Sequence, residues 1–320
     1  MIVTVTPNPS LDRSAKLPAP LVRGGVHRLG DITVEPGGKG VNIARAVHMA
    51  GRPVLAVVPA DRHDPLLDAL RDLDVPFRNV EIGAPVRTNL TLTEPDGTTT
   101  KLNEPGAPLT AAHIDLLTDV LVGSARNALW VTLSGSLPPQ TPVDWYPQMV
   151  RALRPLGVRV AVDTSDAPLE ALARAFPEAA PHLVKPNSEE LGQLTGMNAA
   201  EMEERAAAGD LARIRRAAAD LNGRGVEFVL VTLGGAGALL SVGGQAWHAA
   251  PPPTVVKSTV GAGDSSLAGF LLAHTAGSAP ADCLRSAVAY GSAAAALPGS
   301  ALPGPGQADP EAVTVTALDH

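Results

Sequence analysis

The sequence is poor in aromatic residues, in cysteine and in positive charge. Phe, Trp and Tyr together make up 3% of the 320 residues, so stacked rings cannot fill the core. Val, Leu, Ile and Ala must do so, which suits helices layered on a sheet. The one cysteine, Cys283, excludes an internal disulfide framework and reads as a small apolar residue on a helix face. A soluble, reducing, cytoplasmic setting is expected. A formal net charge of −7 argues against nucleic acid as a partner, because non-specific binding needs a basic surface to release counterions. No run reaches the ~18 apolar residues of a membrane span, and the opening MIVTVTPNPS reads as a strand rather than a signal peptide.

Short Val/Leu-rich runs are present at 1–6, 54–59, 128–134, 158–164, 182–187 and 228–234. Helical patterns separate them, as at 41–51, 64–74 and 210–223. In the first of these, Val41, Ala44, Val47 and Met49 fall near one face and Gly51 is read as the C-terminal stop, since glycine readily takes positive φ. Alternating β and α predicts an α/β fold with a mostly parallel sheet covered on both faces, and ligands at the C-terminal ends of its strands. Residues 13–35 and 84–104 break the pattern. They read as short strands, with Asp96-Gly97 as a hairpin turn, and predict a small inserted β lid whose edges need a partner. The main domain is then 1–12, 36–83 and 105–320. A last edge strand is expected at 313–318.

Five stretches carry chemistry. TVGAGDSS presents Gly261, Ala262 and Gly263 before Asp264 and an apolar helix. It lacks the P-loop lysine and the third glycine of a dinucleotide fingerprint. Asp264 is either a capping acid in a first helical turn or a base beside an anion-binding glycine turn, and the stretch alone leaves the two even. EPGGKGVN places Gly37, Gly38, Lys39 and Asn42 at another helix start, where close backbone approach and a point charge suit a phosphorylated ligand. In TPNPSLD, Asp12 can take sugar hydroxyls or belong to a proline-framed turn. In VKPNSEEL, Asn187 and Glu190 suit Mg²⁺ through water, or form an N-cap with a first-turn acid. VTLGGAGALL is a hairpin or a nucleotide-phosphate loop. Arg87 and Lys101, in the lid hairpin, are the basic residues for an anionic substrate. The histidines do not cluster, and His27 and Arg28 receive no role.

In order along the chain, TPNPSLD, GGKGVN, SGSLPP, KPNSEEL, TLGGAG and TVGAGDS resemble the phosphofructokinase B family of ribokinase-like sugar kinases. GGKGVNIA with RTNLTL…DGTTTKLNEPG looks most like the family's 1-phosphofructokinase and tagatose-6-phosphate kinase branches. The resemblance implies a three-layer α/β/α domain with a β lid that pairs between two subunits in a homodimer. It implies ATP and Mg²⁺ as cofactors, leaves a monovalent cation open, and implies a sugar phosphate as substrate. Asp264 would be the base, and Gly261, Ala262 and Gly263 the anion hole. Asp12, Gly37, Gly38, Lys39 and Asn42 would hold the sugar, with Arg87, Lys101 and Ser136 near it and its phosphate. Lys185, Asn187, Thr232, Gly234, Gly237 and Ser292 would line ATP, and Asn187 and Glu190 would hold Mg²⁺ through water. The lid stretch GGVHRLG lacks the lysine that some fructose-6-phosphate-using relatives carry near Val26, which weakens a 6-phosphofructokinase assignment and is compatible with 1-phosphofructokinase. A nicotinamide-dependent oxidoreductase and a non-catalytic sugar-phosphate sensor are the alternatives of other classes.

Overall fold

The computed structural model describes residues 1–318. The central sheet has ten strands: β1 (Ile2–Val5), β4 (Val54–Pro59), β5 (Phe77–Val80), β8 (Trp130–Ser134), β9 (Arg159–Asp163), β10 (Leu183–Val184), β11 (Phe228–Thr232), β12 (Ala238–Val242), β13 (Gln245–Ala250) and β14 (Thr314–Leu318). Their order is β14-β13-β12-β11-β10-β9-β8-β1-β4-β5. The seven strands from β11 to β5 run parallel, whereas β12, β13 and β14 add on antiparallel. A second, four-stranded sheet has the order β3-β2-β6-β7 and consists of β2 (Ser10–Lys16), β3 (Ile32–Gly37), β6 (Arg87–Thr93) and β7 (Thr99–Asn103). Its first and second strands reach three and two residues further into the glycine and proline motifs than the expected 13–35 segment.

Helices α1 (Lys39–Met49), α2 (Pro65–Asp72), α9 (Ala262–Thr275) and α10 (Pro280–Ala295) cover one face of the large sheet. Helices α3 (Ala111–Ala125), α4 (Trp145–Leu153), α5 (Asp166–Arg174), α6 (Ser188–Thr195), α7 (Ala199–Ala207) and α8 (Ala212–Gly223) cover the other. This is a three-layer α/β/α arrangement with an apolar core on each side of the sheet. Aliphatic side chains and alanines supply nearly all of both cores, as the scarcity of aromatics requires.

Local differences from the sequence reading have simple causes. Val41, Ala44 and Val47 are buried, but Met49, in the last turn of α1, is 46% exposed. The 182–187 run forms only a two-residue strand because Pro186 has no N–H to continue the ladder; an isolated bridge resumes at Asn187–Thr232. Cys283 is buried on α10 and burial pushes its thiol up to about 11, consistent with an inert packing residue.

Candidate active site

In the large sheet, β1 is followed in space by β4 and β5 on one side and by β8 to β11 on the other. Side chains therefore converge in the crevice where the winding reverses, above the C-terminal strand ends. Asp163 is the last residue of β9 and Lys185 follows β10. Lys39 opens α1, Asn42 lies one turn on, and Asp264 is in the first turn of α9.

These residues form one charge cluster. Asp163, with a fully buried side chain, lies 2.7 Å from Lys39 Nζ and 3.2 Å from Lys185 Nζ. Burial pushes its carboxyl up, but Lys185 and Lys39 outweigh that and hold it below the usual range. Burial likewise opposes the charge on Lys39. The carboxylates of Asp163, Glu190 (3.5 Å away) and Asp264 more than offset it and keep the ammonium charged. Asp264 differs. Burial and then the charge of Asp163 raise its carboxyl to about 6, against the pull of Lys39, Asn42 and Lys185. Its Oδ2 accepts a hydrogen bond from Asn42 Nδ2 at 2.8 Å. A buried carboxyl near 6 beside two ammonium groups is suited to take a proton from a hydroxyl near neutral pH.

The glycine turn adjoins Asp264. Gly261, at φ +73°, is the N-cap of α9, a left-handed position that glycine takes without strain. The first-turn amides of Gly263 and Asp264 have no intrahelical acceptor, and the helix dipole adds to their positive potential. The Ala262 amide is turned back to the Thr259 carbonyl at a long 3.4 Å. A Cβ on Gly263 would lie 3.2 Å from Lys185 Nζ, so an anion in this turn meets amides and an ammonium together.

On the small-sheet side, Asp12 Oδ1 accepts from Ser10 Oγ at 2.7 Å and Asn89 Nδ2 at 3.0 Å. A Cβ on Gly37 would come within 2.2 Å of Asp12 Oδ2, so glycine there makes room for the carboxylate. Arg87 Nη1 donates to the Glu104 carbonyl, and Asp12 and Glu104 face the guanidinium. Three polar atoms in this region, Arg87 Nε, Asn89 Oδ1 and Asn42 Oδ1, are buried without a hydrogen-bond partner among the described residues. Such atoms are costly unless a ligand meets them. Ser136 is exposed and its Oγ accepts from Asn8 Nδ2 at 3.3 Å. Lys101 stays exposed on the edge strand β7, and no hydrogen bond or ion pair joins it to the cluster among the described residues.

Beside the cluster, Asn187 and Glu190 form a reciprocal capping box at the start of α6, with Asn187 Oδ1 accepting from Glu190 N at 2.8 Å and Glu190 Oε2 from Asn187 N at 2.9 Å. Thr232 ends β11, and Gly234 begins the turn into β12. Gly237 is required by the hairpin itself, because a Cβ would sit 2.0 Å from the Ala249 carbonyl. Ser292 lies on α10 next to Gly291, which packs against the Ala262 carbonyl at the start of α9.

Sequence reasoning missed Asp163, Asn8 and Asn89. Asp163 carried a usable signal, an acid closing a buried strand at the ligand edge of a parallel sheet. Asn89 did not, since only the register Asp12–Asn89 brings it to the site.

Comparisons with known proteins place the chain in a family. The profile of the pfkB family of carbohydrate kinases matches residues 10–305. A 1-phosphofructokinase of Xanthomonas campestris pv. campestris is 37% identical over 274 residues, covering 85% of this chain and 83% of its own. The 1-phosphofructokinase of Rhodobacter capsulatus is 35% identical over 328 aligned positions, covering 98% and 96%. Among solved structures, phosphofructokinase-2 from Escherichia coli in complex with substrates and products superposes with a TM-score of 0.86 at 31% identity over 96% of both chains. Fold and site thus define a phosphotransferase of ribokinase-like architecture. The chain belongs to the pfkB family of carbohydrate kinases. Membership removes the nicotinamide-dependent reading. Among the described residues, no helix is long and apolar enough to cross a membrane.

Proposed function

We propose that the protein is an ATP-dependent sugar-phosphate kinase that converts fructose 1-phosphate to fructose 1,6-bisphosphate. The observation that carries this reading is the Asp264 carboxyl, raised to about 6 and hydrogen-bonded to Asn42 at the mouth of the glycine turn. In the reaction, the 6-hydroxyl oxygen forms a bond to the γ-phosphorus of ATP. The bond to the bridging oxygen breaks, and ADP leaves with the electron pair. Asp264 takes the hydroxyl proton. The Gly261–Gly263 turn and Lys185 carry the charge on the moving phosphoryl group, so catalysis is mainly positioning plus charge stabilisation.

Asp12, Gly37, Gly38 and Asn42 bind the sugar, with Arg87, Lys101 and Ser136 toward its phosphate. The orphaned Arg87 Nε supports this, since a buried donor is satisfied by a phosphate oxygen. Lys39, held by Asp163 and Glu190, supplies positive charge from below the sugar. Lys185, Asn187, Thr232, Gly234, Gly237 and Ser292 line the nucleotide. Asn187 and Glu190 retain oxygen lone pairs beyond their capping bonds and fit Mg²⁺ held through water. When bound, the ion would neutralise charge on the nucleotide phosphates. The small sheet is a lid that excludes water and pairs with its counterpart in a homodimer.

The second reading is a tagatose-6-phosphate or fructose-6-phosphate kinase, favoured by the likeness to the Escherichia coli phosphofructokinase-2. A kcat/KM panel of fructose 1-phosphate, fructose 6-phosphate and tagatose 6-phosphate with ATP and Mg²⁺, in potassium or sodium salts, tests both. Fructose 1-phosphate should give the highest value. A preference for either 6-phosphate overturns the substrate assignment, and absence of ADP release with all three leaves a non-catalytic sensor.

A further inference from the structure

One carboxylate outside the reacting cluster touches three separate elements. Glu35, on β3, is the direct cross-strand partner of Asp12 on β2. Two like charges in that position repel unless each is neutralised. Asp12 is satisfied by Ser10 and Asn89. Glu35 Oε1 accepts from Arg45 Nη2 of α1 at 2.9 Å, and Arg45 Nη1 donates to the Pro36 carbonyl at 3.0 Å. The other oxygen, Oε2, accepts from Ser300 Oγ at 2.5 Å. Arg45 and Ser300 are both buried.

Ser300 leads directly to the glycine turn. Its neighbour Gly299 packs near Ser14 of the small sheet, and the Gly299 carbonyl accepts from Ser258 Oγ at 2.7 Å. Ser258 Oγ in turn accepts from Val260 N at 3.2 Å, the residue before Gly261. Leu302 closes the same path, with its Cδ2 3.2 Å from where a Gly261 Cβ would lie. A continuous set of contacts therefore runs from the strand opposite Asp12 to the amides beside Asp264.

We infer that Glu35 and Ser300 are positioning residues that tie the sugar-binding root of the small sheet to the glycine turn, so that seating the sugar sets the amides of residues 261–264. This rests on the proposed kinase reading for its effect on turnover, but not for the coupling itself. The bonded groups are hydroxyls and a paired carboxylate, none of them bonded to Asp264, and they act by geometry. Misplacing a reacting group by a fraction of an ångström is enough to slow a transfer strongly.

The test uses S300A, S300T and E35Q in the full chain. S300A should lower kcat roughly tenfold or more, with KM for sugar phosphate and for ATP each within twofold, and S300T should restore most of the loss. Amide hydrogen exchange of the unliganded protein should be faster over 257–264 in both S300A and E35Q, although the substitutions lie elsewhere in the sequence. The inference is overturned if S300A turns over within twofold of the parent, if only KM changes, or if exchange over 257–264 is unaltered in E35Q. If the parent phosphorylates no sugar phosphate, the kinase reading fails while the exchange measurement still decides the coupling.

Discussion

Asn42 Nδ2 donates to Asp264 Oδ2 at 2.8 Å across 222 positions of sequence. The bond joins the first turns of α1 and α9, and so joins two glycine turns that sequence shows only as separate motifs. It also holds the Asp264 carboxyl down, because a donor to the ionised carboxylate favours that form.

Asp264→Asn should abolish most turnover, by about 10² to 10⁴ in kcat for loss of a positioned base, while ATP binding persists. The same change should stabilise the unliganded protein. Burial first, then Asp163, raises this carboxyl to about 6. A raised carboxyl contributes fully below its unfolded value near 3.9, and stability is lost as pH climbs through about 6. At neutral pH the ionised group is therefore a net cost to the unliganded fold. Thermal melting at pH 7.5 should therefore rise by several degrees in the variant, and a fall would refute the burial account.

The acid limb of kcat/KM should have its midpoint near 6, because Asp264 must be ionised to act. Asn42→Ala removes a donation that holds the carboxyl down, so the limb should move to higher pH. A shift to lower pH in a full pH–rate profile would contradict the bond's direction.

Arg87→Leu should raise KM for the sugar phosphate roughly 10- to 100-fold with KM for ATP within twofold, the pattern for loss of a charge-assisted contact. Steady-state kinetics with each substrate varied separately checks this. Equal effects on both KM values would remove Arg87 from the substrate-phosphate site.

The outer face of the small sheet should be a subunit interface. Val34, Leu90 and Leu102 are placed in one row through Arg13, opposite the face that carries Asp12, Asn89 and Glu35. Val34 is 53% and Leu102 55% exposed, an apolar row on a sheet with open edges. Light scattering should find a dimer, and Leu102→Asp should shift it to monomer. A monomeric parent at micromolar concentration would dispose of the pairing.

Stability should fall below pH 6.5 through two histidines at the other end of the sheet. Trp130 Nε1 donates to His274 Nδ1 at 3.2 Å and Val160 N to His182 Nδ1 at 3.0 Å, so each Nδ1 must be unprotonated. Burial, then Arg159, lowers both, with Arg154 adding to the effect at His182 and Glu227 opposing at both. Lowered values favour the neutral rings, so their stabilisation is complete above the unfolded value and fades as pH drops through it. His274→Gln keeps an acceptor for Trp130 and should lessen the loss of melting temperature between pH 7.5 and 5.5.

The layered α/β fold and the strand runs at 54–59 and 228–234, the second of which ends as a strand at Thr232, were legible because buried parallel strands read as continuous Val/Leu runs. The glycine motifs were legible because close backbone approach admits few residue types. Arg87 and Lys101 were both legible as basic residues of the small-sheet hairpin. Register puts both on the face that carries Asp12, with Arg87 half-buried beside Asp12 and Lys101 exposed on the edge strand, a difference that no local pattern carries. The Asn187–Glu190 spacing satisfied both the capping and the metal readings, and the reciprocal cap is present. Spacing of three cannot separate them, since one helical turn serves either purpose.

By itself, the sequence determined the layered architecture and the family, because these follow from local periodicity and from glycine motifs that occur in a set order along the chain. Only the tertiary structure decided which charges face one another. Lys39 on Asp163, Asn42 on Asp264 and Glu35 on Ser300 each join segments more than a hundred residues apart. Such contacts depend on strand register and helix docking, and those are settled by packing of the whole core rather than by any short stretch of chain.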